Sequence, residues 1–161
     1  MITLVRVDNR LIHGQVVEAW LPHLKVQRVV VADDEAASSP LIRAAMALAV
    51  QSAIEVQILP LAQVDFVAMS RDGVRTLVLL RDVAAVPFAF GHGLAMEHLN
   101  LGNVHFGAGR RQVSPSVFLA EAELQALQSL SEQGVRVEAR AVPSEKAVEL
   151  GELSVRWTKG G

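Results

Sequence analysis

The 161-residue chain has no cysteine. Disulfides, thiolate nucleophiles and Cys-based zinc sites are therefore excluded. No apolar run approaches the ~18 residues that a membrane-spanning helix needs. A basic surplus is missing too: 15 Lys and Arg stand against 17 Asp and Glu, for a net charge of −2. A general nucleic-acid binder would show the opposite balance. No Walker-type lysine motif is present, so direct use of ATP is not expected. Gly91-His92-Gly93 lacks the third glycine and the strand context of a dinucleotide fingerprint. His23, His92, His98 and His105 show neither His-x-x-x-His spacing nor an HExxH companion, so no metal site is expected. No other cofactor is expected. The segment Met1–Asp8 lacks the charged-then-apolar layout of a signal peptide. A cytoplasmic protein is expected, meeting the membrane only through partners. Repeats, low-complexity stretches and linkers are absent, which points to one domain over residues 1–161.

What remains is an apolar, rhythmically organised chain. Hydrophobic residues make up 51% and charged residues 20%, as suits strands covered on both faces. Strands are expected at Ile2–Val7, Gln27–Ala32, Glu55–Leu59, Arg75–Leu80, Leu99–Phe106 and Val135–Ala141. Helices are expected at Gly14–Leu24 (its end unsettled by Pro22), Leu41–Gln51, Leu61–Ser70, Phe118–Gln133 and Glu145–Leu150. Asp33-Asp34 and Ser38-Ser39-Pro40 carry helix-start chemistry. Val83–His98 is mixed, and Leu153–Trp157 reads as an added edge strand. This β-α-β rhythm gives an α/β fold: an open, mostly parallel sheet of about six or seven strands with helices on both faces. Ligands of such sheets bind outside the carboxyl ends of the strands.

The first strand runs into Asp8-Asn9-Arg10-Leu11-Ile12-His13-Gly14-Gln15. A histidine at a strand-to-helix turn suits phosphate chemistry. Its imidazole is a nucleophile near neutral pH. The helix behind it offers free N–H groups and a positive dipole end. Arg10 adds a permanent cation able to grip phosphate oxygens in a fork. The simpler alternative for His13 is a capping or packing role, and for Arg10 a solvated loop side chain.

The run Val5-Arg6-Val7-Asp8-Asn9-Arg10-Leu11-Ile12-His13-Gly14-Gln15-Val16, with Trp20, resembles the active-site segment of the IIB components of mannose/fructose/sorbose-type phosphotransferase systems. Leu99–Phe106, Gly107–Leu119 and Val135–Pro143 are similar to further segments of that family, so the likeness spans nearly the whole chain. It implies a phosphohistidine carrier and a phosphotransferase component (protein-N-phosphohistidine–sugar phosphotransferase). The histidine matching His13 takes phosphate from a IIA partner and hands it to a sugar at the IIC/IID membrane permease. A homodimer is compatible with the likeness. One departure is Asn9, where the family often has a second aspartate. Two rival readings stay open: a regulatory domain that reports phosphotransferase status, and an α/β module in which His13 only binds an anion.

Around His13, Asp8 is expected either to orient the imidazole or to form an Asx-turn. Gly14 serves close approach of phosphate or simply a tight turn. Gln15 donates to phosphate or begins the helix. Arg6 is a further phosphate-binding candidate, or pairs with an acid. Trp20 reads as core. Arg110 and Arg111 form either a positive rim for docking IIA or an exposed basic turn.

Overall fold

The computed structural model describes residues 1–160. Along the chain lie β1 (Ile2–Asp8), a helix that is π-wide over Val16–Trp20 and continues as α1 (Leu21–Leu24), β2 (Arg28–Ala32), α2 (Asp34–Ser38), α3 (Pro40–Ala49) and β3 (Glu55–Leu59). Then come α4 (Phe66–Arg71), β4 (Thr76–Leu80), α5 (Ala85–Gly91), β5 (His98–Asn103), the hairpin β6 (Arg111–Ser114) and β7 (Val117–Leu119), α6 (Glu121–Glu132), β8 (Arg136–Ala139), β9 (Val148–Glu149) and α7 (Leu150–Lys159). The main sheet has seven strands in the order β3-β2-β4-β1-β5-β8-β9. All pairs are parallel except β8–β9.

Strand alternation splits the core in two. Val5, Val7, Val30, Val78, Leu80, Leu99 and Leu101 face Phe66, Val86, Leu124 and Leu127 of α4, α5 and α6. Leu4, Val29, Val31, Leu77 and Leu79 face Val16, Trp20, Leu21 and Ala36. The helix after β1 thus covers one face, while those after its neighbours β4 and β5 cover the other. Connections that leave adjacent strands for opposite faces open a crevice at the carboxyl end of β1. Asp8 and His13 lie at this crevice.

Several elements depart from expectation. Pro22 does not end its helix. The preceding turn is widened, with the Leu21 N–H reaching the Val16 carbonyl, and the π geometry absorbs the missing donor. Leu61–Ser70 is split because Asp65 accepts from the Ala68 N–H and starts α4 afresh. Phe118-Leu119 belongs to a hairpin closed by Pro115-Ser116, with Ser114 paired to Val117, and not to the following helix. Glu145–Leu150 is not a helix: Val148–Glu149 pairs antiparallel with β8. Leu153–Trp157 is helical, not a strand. Its apolar residues Leu150, Leu153 and Trp157 recur at helical spacing, Leu153 is fully buried, and the Trp157 indole donates to the Leu119 carbonyl at 2.8 Å.

Candidate functional site

The site is built from the end of β1 outward. The Asp8 carboxylate folds over its own loop: Oδ1 accepts the Arg10 N–H at 2.9 Å, and the Asp8 carbonyl accepts from Leu11 at 3.0 Å. Leu11 is left-handed, with φ 57°, a conformation that costs a non-glycine residue about 1–2 kcal/mol. Complete burial of its side chain in the core offsets that cost. The reversal brings His13 back over β1. Its carbonyl accepts the Val17 N–H as the helix begins, and its Nε2 lies 2.7 Å from Asp8 Oδ2. The His13 side chain is 13% exposed and that of Asp8 is fully enclosed. Asp8 thus meets the loop backbone through Oδ1 and the imidazole through Oδ2.

Behind Asp8 stands Arg6, also without exposed surface. Its Nε and Nη2 donate to Asp8 Oδ2 at 3.2 and 3.0 Å. Nη2 also reaches Gln15 Oε1 at 2.9 Å, and Nη1 reaches Asn100 Oδ1 at 2.7 Å and the Arg140 carbonyl at 3.2 Å. Trp20, core as expected, lies with its ring centroid 5.1 Å from the guanidinium carbon. A Cβ on Gly102 would overlap this guanidinium, so glycine is required there by close approach. Arg6 is therefore not a phosphate ligand in this arrangement; it is the buried counter-charge of Asp8.

Burial alone would raise the Asp8 carboxyl. The hydrogen bond to His13, the charge of Arg6, and donors from Asn103 and the Arg10 backbone outweigh it and hold Asp8 below the ordinary carboxylate range. Asp8 is thus an anion at neutral pH. Burial lowers the Arg6 guanidinium, and Asp8 works against that shift. An anionic Asp8 can only accept, so the His13 Nε2 that faces it carries the hydrogen and Nδ1 is the ring nitrogen turned away from Asp8.

The remaining candidates divide. Arg10 is exposed, and its guanidinium has no hydrogen-bond or ion-pair partner among the described residues. Gly14 is exposed with open space where a Cβ would stand, and its φ is not positive. The strained residue of the turn is Leu11, not Gly14. Gln15 Oε1 accepts from Arg6 and from Asn103 Nδ2 at 2.9 and 3.0 Å, which leaves its NH2 to donate outward. Arg110 and Arg111 are engaged elsewhere. Arg110 forks onto Glu123 at 2.9 and 3.0 Å, tying the loop to α6. Arg111 stacks on Trp157 at 4.0 Å and donates to its carbonyl. Neither presents a free cation, so the two do not form the expected positive rim.

Sequence reasoning passed over Asn103, whose Nδ2 donates to both Asp8 Oδ2 (2.9 Å) and Gln15 Oε1 (3.0 Å). It also missed Asn100, which links Arg6 to the buried Glu138 (3.1 Å). Their signal was two amides, three residues apart, in an otherwise apolar strand. Of the other histidines, His98 bonds Glu138 at 3.0 Å. No group of three metal-binding side chains occurs among the described residues.

Residues 2–159 match the profile of the PTS system sorbose subfamily IIB component. The chain belongs to this family. It is 31% identical over 153 residues to the N-acetylgalactosamine-specific phosphotransferase enzyme IIB component 2 of Escherichia coli K12, covering 94% of this chain and 98% of the relative. The crystal structure of the IIBSor domain of the Klebsiella pneumoniae sorbose permease superposes with a TM-score of 0.87 at 26% identity, over 96% of this chain and 97% of that one. The mannose-specific EIIAB component of E. coli K12 is 26% identical over 95% of this chain, which spans 48% of that relative. The sorbose-type IIB fold thus accounts for the mostly parallel seven-stranded sheet. As a IIB component, the protein is part of a phosphotransferase. The family implies interaction with IIA and with the IIC/IID permease. Among the described residues, no helix is long and apolar enough to cross a membrane.

Proposed function

We propose that this IIB component is a phosphohistidine carrier that takes a phosphoryl group from phospho-IIA on His13 and passes it to a sugar at the permease. The observation that carries the reading is the 2.7 Å contact between His13 Nε2 and the buried, anionic Asp8. It directs reaction to Nδ1. In the first step the Nδ1 lone pair attacks phosphorus, the P–N bond of the donor phosphohistidine breaks, and its electron pair returns to the donor imidazole. His13 keeps its Nε2 proton throughout, so the phosphorylated ring is cationic and Asp8 compensates it. In the second step a sugar hydroxyl attacks phosphorus, the Nδ1–P bond breaks with its electron pair returning to the ring, and the hydroxyl proton passes to solvent, so His13 leaves as the neutral imidazole. Arg10 and the outward NH2 of Gln15 supply charge and a donor to the moving phosphoryl oxygens, and the N–H groups at the helix start face the same region. Gly14, with no side chain in the way, leaves the backbone open to phosphate. The working location is the cytoplasmic side of the membrane, in contact with the permease.

The test is phosphorylation of wild type and His13→Ala by labelled phospho-IIA. Wild type should gain one acid-labile phosphate, assigned to Nδ1 by two-dimensional NMR. His13→Ala should gain none while keeping its far-UV spectrum. Uptake by the folded variant at the wild-type rate would refute the assignment.

A further inference from the structure

The carboxyl ends of four neighbouring strands are tied in a row. β2, β4 and β1 run in register, with Val31 beside Leu79 and Val7 beside Leu80. The first residues beyond β2 and β4, Asp33 and Arg81, are therefore level with the end of β1. Adjacent strands stand about 4.8 Å apart, within reach of an arginine side chain. Arg81 forks onto Asp33, Nε to Oδ1 at 3.0 Å and Nη2 to Oδ2 at 2.7 Å. Asp33 is fixed in turn by accepting the Ala36 N–H at 2.9 Å as the cap of α2. With two of its nitrogens held, Arg81 aims the third, Nη1, at the Asn9 carbonyl at 3.3 Å. On the other side, the Asn9 N–H donates to the Asn103 carbonyl on β5 at 2.9 Å.

Resting on the reading of His13 as phosphoryl carrier, we infer that Arg81 is a positioning residue for transfer, acting through the Asn9 backbone to hold the His13 loop. Asn9 is where the chain leaves the sheet. The next residues include the left-handed Leu11, a conformation that persists only where its surroundings impose it. Asn103 and Arg81 clamp Asn9 from both sides, and the same Asn103 also reaches Asp8. Loss of the Arg81 side lets the shoulder of the loop move, and with it the imidazole over Asp8. Since the clamp uses the Asn9 carbonyl and N–H, it does not depend on the side chain there.

The experiment compares wild type, Arg81→Met and Arg81→Lys in single-turnover phosphorylation over a range of phospho-IIA concentrations. A parallel measurement records the ¹⁵N signals of the His13 ring without phosphate. Misplacing a reacting group by about 1 Å costs up to a hundredfold in rate. Arg81→Met should therefore lower the first-order transfer rate roughly ten- to a hundredfold, with half-saturating IIA unchanged. Its His13 signals should leave the single Nε2–H tautomer for an exchanging mixture. Arg81→Lys should recover part of the rate, since one ammonium reaches Asp33 or Asn9 but not both. Three results would overturn the inference: wild-type transfer, a change confined to half-saturation, or a rate loss fully matched by reduced final phosphate stoichiometry with an unaltered tautomer. If wild type itself takes up no phosphate, the carrier reading fails, while the ring signals still judge the strut.

Discussion

Replacing Asp8 by asparagine removes one charge and almost no volume, so its consequences separate electrostatics from packing. In the folded protein Arg6 and Asp8 are both without exposed surface, with Nη2 and Oδ2 3.0 Å apart. Asp8→Asn leaves an enclosed guanidinium whose remaining hydrogen-bond acceptors, the oxygens of Asn100, Gln15 and Arg140, are all neutral, with the Glu138 carboxylate acting on it only through space. Breaking a buried pair from one side costs about 3–5 kcal/mol. The three neutral acceptors solvate Arg6 in part, which favours the lower end, about 3 kcal/mol. That is a large share of the roughly 5–15 kcal/mol that holds such a domain together. At roughly 2–4 °C per kcal/mol for this size, the melting temperature should fall by about 6–12 °C. Transfer should suffer as well. The bond from the cationic phospho-ring to a carboxylate becomes one to a neutral amide oxygen, a loss of up to about 1.5–3 kcal/mol, or roughly ten- to a hundredfold in rate. Acid behaviour supplies a third readout. The folded Asp8 carboxyl lies below its ordinary value of 3.8. Its stabilisation is therefore complete above that value and is lost as pH falls from there toward the folded one. Wild type should shed stability below about pH 4, and Asp8→Asn should lack that part of the acid limb. Urea unfolding across pH, with rapid-quench transfer from labelled phospho-IIA, measures all three. A variant within about 0.5 kcal/mol of wild type, transferring at the wild-type rate, would refute the claim that the Arg6–Asp8 charge pair organises the site.

Arg10→Ala should slow transfer roughly ten- to a hundredfold, from loss of a charge-assisted bond of about 1.5–3 kcal/mol. Its stability should change by no more than about 0.5 kcal/mol, because the exposed side chain makes no hydrogen bond or ion pair among the described residues, and Arg10→Lys should restore only part of the rate. Equal single-turnover rates for Arg10→Ala and wild type would remove Arg10 from the phosphate site. Gly102→Ala should cost about 1–3 kcal/mol by overpacking and should slow transfer, since the added methyl displaces Arg6 from Asp8. Normal melting in that variant would show that the guanidinium can retreat.

The parallel strands were legible because burial on both faces leaves unbroken β-branched and leucine runs, as in Arg28–Ala32 and Thr76–Leu80, where every residue is buried. The grouping of His13, Arg10 and Asp8 was legible for a different reason: they lie within six residues, so their juxtaposition is local. What stayed hidden depends on contacts distant in sequence. Asn100 and Asn103 reach Arg6 and Asp8 across about 95 positions, and nothing in β5 announces a partner in β1. Arg110 and Arg111 read as a basic rim because sequence shows charge and not its partner; Glu123 and Trp157 are supplied only by folding. The edge of the sheet was misjudged where period and length conflict. Leu153–Trp157 is short enough for a strand, and only the inclusion of Leu150 reveals the helical stripe.

Arg6, Asp8, Gln15 Oε1, Asn100 and Asn103 are held by buried partners, while the Arg10 guanidinium, the Gln15 NH2 and the Nδ1 edge of His13 have no hydrogen-bond partner among the described residues. This division has a physical logic under the proposed reading, that of a carrier meeting two different partners. Pre-organised groups that do not move cost nothing at the moment of reaction, and the buried set fixes the tautomer and direction of His13 before any partner arrives. The exposed set must instead release phosphate as readily as it binds it, which an over-determined site would prevent. Two cations facing the phosphoryl group would deepen the intermediate and slow its discharge. Enclosing Arg6 places its charge on Asp8 and leaves Arg10 as the only unpaired guanidinium of the loop. On that proposed reading, the energy of the phosphorylated state is governed by one solvated side chain rather than by the core, and charging by one partner and emptying by the other proceed without repacking β1.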